Sequence, residues 1–162
     1  MRNDPVEMKD SVQEYLNNTL LAVVSWTDGT VPESGSFIFG NDTRGRIYLR
    51  IRSGSRLETS LRKNPHIALL ISREEPELEK IVSIQALGKG EILEDPTSQE
   101  SLEGYRWLRK KSPLLGQTPH TDGVQTYRII RIVIQEFQKF GYSDFADGRS
   151  PVVLKRKGFP AP

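Results

Sequence analysis

The stretch Ile51–Pro65, IRSGSRLETSLRKNP, gathers the side chains of this sequence best suited to holding an anion. Ser55-Arg56-Leu57-Glu58 has the form of a capping box, with Ser at the cap and Glu three residues on. A helix that starts there directs its free N–H groups and the positive end of its dipole outward, which favours an anion. Arg56 falls in the first turn, where a cation is unfavourable unless it meets an anion. Arg50 and Arg52 leave the preceding strand on one face, and Ser53-Gly54 permits close backbone approach. Together these residues describe a phosphate seat. A solvated helix start with exposed arginines would use the same residue types, and the capping box is structural in either case.

Other chemistries find little material. The chain lacks cysteine, which excludes disulfides and thiolate metal sites. His66 and His120 are the only histidines, too few for a histidine metal cluster, and no Ser-His-Asp arrangement is readable. His66 reads as a strand-edge residue and His120 as a loop residue, with a substrate contact as the alternative for His120. The carboxylates show no spacing that suggests an acid–base pair. Basic and acidic residues number 23 and 21, for a net charge of +2, so composition makes no case for nucleic-acid binding. The N-terminus MRNDPVEMKD is polar and acidic, unlike a signal peptide, and no apolar run approaches the ~20 residues of a membrane helix. A cytoplasmic protein without membrane association is the expectation.

The elements that must position the seat follow from periodicity. At 162 residues the chain reads as one domain spanning 1–162. NDPVEMKDSVQEYLNN predicts a first helix, capped by Asp4 with Pro5 at its first position. Three strands follow as a meander: Thr19–Trp26, Ser34–Gly40 and Arg46–Arg52. In the third, Ile47, Leu49 and Ile51 share one face, and Tyr48, Arg50 and Arg52 the other. After the helix opened by Ser55 come an apolar strand, His66–Ser72, and a long strand, Ile81–Asp95, with bends or bulges expected at Gly88 and Gly90. A second long helix ends before Pro113, with Leu102, Tyr105 and Leu108 on one face. Val124–Tyr142 predicts a last strand bent near Glu136. The tail, about 143–162, reads as loose or wrapped over a partner. Trp26 is expected at a barrel rim, and Tyr105 and Trp107 in core or dimer packing. The class is mainly β (α+β): a six-stranded antiparallel barrel with peripheral helices.

The order of these pieces adds a resemblance. Asp28-Gly29, GRIYLR, Ser55-Arg56, Leu61, Asn64-Pro65, Ala68-Leu69, and Gly88 with Glu91 follow one another as in the pyridoxamine 5'-phosphate oxidase-like superfamily of FMN-binding split β-barrels, which the chain resembles from about Thr19 to Asp95. The resemblance implies a homodimer with FMN in a groove between subunits, and an oxidoreductase acting on a small molecule. It implies Ser55 and Arg56 at the flavin phosphate, with Arg50 and Ile51 along the ribityl and phosphate path; Arg50 and Arg52 would add charge support. Ser36, Phe37 and Ile38 would line the isoalloxazine ring, with Ser83 contacting the flavin and Gln85 beside it. The chain departs from the oxidase itself at three positions that are usually basic, here Gly35, Gly40 and Leu57, and it carries no C-terminal Arg-x-His pattern. It therefore resembles a relative rather than the authentic oxidase. A non-catalytic binding or regulatory protein on the same fold, or a deazaflavin- or haem-using relative, are the alternatives.

Overall fold

In the computed structural model, residues 10–116, 127–142 and 152–155 are described, together with Ala146 and Gly148. Helix α1 spans Asp10–Asn17, and its expected cap, Asp4-Pro5, lies outside the described residues. Strands β1 (Leu21–Thr27), β2 (Pro32–Asn41) and β3 (Arg46–Arg52) lead into α2 (Arg56–Lys63). Then come β4 (His66–Ser72), β5 (Val82–Leu93), α3 (Gln99–Lys111), β6 (Tyr127–Gly141) and β7 (Val152–Lys155).

The sheet runs β3-β2-β1-β4-β5-β6-β7, and β3 also pairs with β6, so six antiparallel strands close on themselves. Alternation fixes what each strand buries. Ala22, Val24, Phe39, Ile47, Leu49, Ile67, Leu69, Ile71, Ile84 and Ile132 fill the interior. One end is plugged by α2, whose Leu57 and Leu61 join the same core. Leu57 occupies a usually basic family position as a core residue and is 3% exposed. Its packing against the barrel accounts for the apolar choice.

β5 and β6 slip register between Leu87 and Gly88, leaving Gln135 as the extra residue of a bulge beside Glu136. A Cβ on Gly88 would stand 2.5 Å from the Val133 carbonyl oxygen, so this crossing requires glycine. The expected bend near Glu136 is this bulge.

β2 and β3 pair only where Phe39–Asn41 meets Ile47–Leu49. Before Phe39, β2 runs apart from β3, and the barrel is split there. On the outside of β2 and β3 lies α3, capped by Ser98, whose hydroxyl accepts from the Ser101 N–H. Its buried face is Ser101, Gly104, Tyr105 and Leu108; Leu102, expected on that face, is 40% exposed. One step of 100° per residue carries Leu102 round to solvent. Tyr48 is buried under α3 with Tyr105, Leu108 and Ile129, so β3 is covered on both faces near its start. Lys111 ends α3. Its ammonium donates to the Leu16 and Thr19 (2.7 Å) carbonyls at the end of α1 and sits 4.2 Å from the Phe39 ring centroid. Part of the tail expected to be loose forms β7, which pairs with Glu136–Lys139 of β6.

Candidate functional site

The predicted helix start is present. Ser55 is the N-cap of α2, in extended conformation, and its hydroxyl accepts from the Glu58 N–H. Gly54 turns the chain into the cap at φ 76°, a left-handed conformation that glycine adopts without strain. Glu58 reaches back one residue further than a simple capping box, to the Gly54 N–H at 2.7 Å, because the Ser55 N–H is bonded to the Arg52 carbonyl. The N–H groups of Arg56 and Leu57, at the first two helical positions, have no intrahelical partner.

Burial acts to raise the Glu58 pKa. The Arg62 hydrogen bond (2.7 Å), the Gly54 N–H and the charges of Arg128 and Arg62 outweigh it, and Glu58 stays below the ordinary carboxylate value. Arg128 donates to Ser53 Oγ at 3.1 Å and pairs with Glu94, which also holds Arg62. This lattice fixes the Ser53–Ser55 turn from below.

Above the turn, Arg56 extends outward. Its side chain is 82% exposed, and its guanidinium lies 2.5 Å from Glu33 on β2, across the split. The other Glu33 oxygen accepts from Trp26 Nε1 at 3.2 Å. Trp26 in turn meets Phe37 edge-on, with centroids 6.3 Å apart. Arg50 stacks over the Tyr127 ring at 4.4 Å, and Arg52 is exposed. Thus Ser55 and Arg56 front the seat with two free N–H groups, Arg52 is exposed on the strand leading into it, and Arg50 is directed to Tyr127 at the neighbouring strand start.

The expected ring-lining residues divide between two faces. Ser36 and Ile38 lie on the outer face of β2, paired with Val23 and Leu21. Phe37 packs against the barrel core, as does Ile51, 3% exposed. Those two side chains are turned away from the outer surface, and only their backbones could front a ligand there. Ser83 and Gln85 share the outer face of β5 opposite Ser72 and Leu70 of β4. Gln85 lines a cavity of about 260 Å³ with Ser25, Leu70 and Phe140. The usually basic positions are explained by space: a Cβ on Gly40 would stand 2.7 Å from the α3 backbone at Leu108, and Gly35 faces Phe37 and Trp26.

A larger groove of about 500 Å³ was not anticipated. Trp26, Pro32, His66, Ala68, Leu87 and Glu136 are among its walls. His66 Nδ1 lies 2.9 Å from Asn64 Oδ1. Groove and seat meet at one chain of contacts, Trp26 to Glu33 to Arg56. Glu33 and Arg128 were missed from sequence. The available signal was alternation: Glu33, Gly35 and Phe37 fall on the inward face of β2, an unusual place for a carboxylate.

For a phosphorylated flavin, the seat offers two unspent N–H groups, the Ser55 hydroxyl and an outward guanidinium. The opposing carboxylate, Glu33, must yield Arg56. With that exchange the residues fit a phosphate ester. Among the described residues no cluster of His, Asp or Glu is arranged for a metal ion, and no helix is long and apolar enough to cross a membrane.

No family model matches the chain, and no curated protein matches it. Solved structures do. A Listeria innocua protein assigned by name to pyridoxamine 5'-phosphate oxidase aligns at TM-score 0.63 and 19% identity, over 81% of this chain and 96% of its own. General Stress Protein 26 from Bacillus anthracis aligns at 0.59 and 19%, over 90% and 96%. HutZ, a heme storage protein from Vibrio cholerae, aligns at 0.63 and 13%, over 82% and 93%. The closed six-stranded barrel, its split beside α2 and these likenesses show that the chain shares the fold of these solved proteins, a split β-barrel.

Proposed function

We propose that the protein binds FMN and serves as an oxidoreductase toward a small molecule, as a homodimer. The observation that carries this reading is the N-terminus of α2, where Gly54, Ser55 and the exposed Arg56 surround two free N–H groups. Ser55, Arg56 and Arg52 would hold the phosphate. The flavin, when bound, supplies the redox chemistry, while the protein supplies position and electrostatics. Ser36, Ile38, Ser83 and Gln85 present polar and apolar groups for a flat ring on the outer sheet face. That face also exposes Leu21, Val23 and Leu70, each more than 40% accessible, and a second copy would cover them.

The visible spectrum of the purified protein tests the reading. Flavin absorbance released on denaturation, or uptake of added FMN by a colourless preparation, supports it. A colourless protein that takes up no FMN overturns it. A second reading, haem in the apolar groove, is favoured by His66, an imidazole lining a groove of about 500 Å³ with mostly apolar walls. A Soret band that shifts in His66→Ala would select this reading over the first.

A further inference from the structure

The ion pair at the seat joins two unequal partners. Arg56 is 82% exposed, whereas Glu33 is 18% exposed and anchored through its second oxygen to the Trp26 N–H. Glu33 therefore holds a fixed negative charge where the seat would receive a ligand's anion. Resting on the phosphate placement above, we propose that Glu33 tempers the seat's affinity for phosphate: its carboxylate stands in for a ligand's anion on Arg56, so that a phosphate dianion must displace it, at a cost in affinity that an unphosphorylated ring compound does not meet.

Three physical arguments support this. A dianion brings twice the charge of Glu33 to the guanidinium. It also engages the N–H groups of Arg56 and Leu57 at the positive end of α2, a position reached from the seat's open side. Once displaced, Glu33 keeps its Trp26 bond at the rim of the groove, so its charge is not stranded in apolar surroundings. It nonetheless stays close to the incoming phosphate and repels it. A ligand with no phosphate leaves the Arg56–Glu33 pair closed and gains nothing from the seat.

The test measures dissociation constants for FMN and riboflavin on the full chain and on Glu33→Gln, which keeps an acceptor for Trp26 and removes the charge. Flavin fluorescence quenching supplies the readout. Wild type should prefer FMN, and Glu33→Gln should bind FMN about tenfold more tightly with riboflavin unchanged within about twofold. Glu33→Ala should show the same FMN gain without the Trp26 acceptor, which separates charge from local packing. An unchanged or weakened FMN affinity in both variants, with wild type still preferring FMN, removes the role of Glu33 and leaves the seat standing. Equal tightening of riboflavin also overturns the proposal. If neither protein distinguishes FMN from riboflavin, or neither binds either, the phosphate placement itself falls and Glu33's role with it.

Discussion

Arg56 and Lys111 show how the same kind of charge does different work according to its surroundings. Arg56 is on the surface, pairs with one carboxylate, and supports nothing in the core. Arg56→Ala should therefore leave thermal stability within about 0.5 kcal/mol. It should weaken FMN binding by about 1.5–3 kcal/mol, the range for a charge-assisted hydrogen bond. Unchanged FMN affinity would exclude Arg56 from the seat. Lys111 is the opposite case. Burial pulls its ammonium from 10.5 to about 8, even though two carbonyls at the end of α1 favour the charged form. Between these pH values the unfolded chain binds more protons than the folded one, so this group makes stability rise with pH. Compared with Lys111→Met, the wild type should gain on the order of 2 kcal/mol from pH 8 to 10.5 in denaturant titrations. Parallel curves for the two proteins would show that the lysine is fully solvated. Glu58 gives the acid-side counterpart. Its pKa is lowered, so its contribution is complete above 4.5 and is lost as pH falls through the folded value. Glu58→Gln should flatten the acid limb of the stability curve, and an unaltered limb would place Glu58 outside the Arg62–Arg128 lattice.

At the scale of elements, the glycines separate backbone needs from packing needs. Gly40 lies where β2 touches the α3 backbone, and any Cβ there meets Leu108 N at 2.7 Å. Gly40→Ala should cost about 3 kcal/mol, because the helix must lift off Tyr48 and Ile129. Gly54→Ala meets open space and should cost only about 1–2 kcal/mol, for the left-handed turn. Urea midpoints would rank the two, and the reverse order would refute the packing account. These cases also show what the sequence could convey. Ser55 to Glu58 marks its helix start through a local hydrogen bond, so it was legible as written. The alternation of Ile47, Leu49 and Ile51 was legible for the same reason. Leu102 was not, because which arc of α3 is buried depends on Gly40 and Gly104, two gaps that only the packed pair reveals. Glu33 showed in the sequence only as a carboxylate in inward register, and not as a site residue, because its two partners, Arg56 and Trp26, reach it from different elements.

The whole molecule leaves one broad surface uncovered among the described residues. Leu21 and Val23 on β1 and Leu70 on β4 neighbour one another by register and stay 41–49% exposed. Leu70→Glu should convert a dimer to a monomer in sedimentation experiments, while Leu102→Glu, on the solvent side of α3, should not. A wild type that sediments as a monomer at micromolar concentration would remove the dimer from the proposed function. The resemblance implies a dimer; hydrophobic patterning alone could not suggest one, since an exposed strand face carries the same residues as a buried one.

The β3–β6 pairing has a kinetic consequence. The strands it joins are separated in the chain by α2, β4, β5 and α3, and their ladder runs from Arg46–Val133 to Arg52–Tyr127. The loop-closure entropy of that long span must be met before the contacts return any stabilisation, so the seam forms late. Until it does, the chain is a curved sheet with two unsatisfied rims. A refolding solution at high protein concentration would pair those rims between molecules, and the yield of soluble protein should fall as concentration rises.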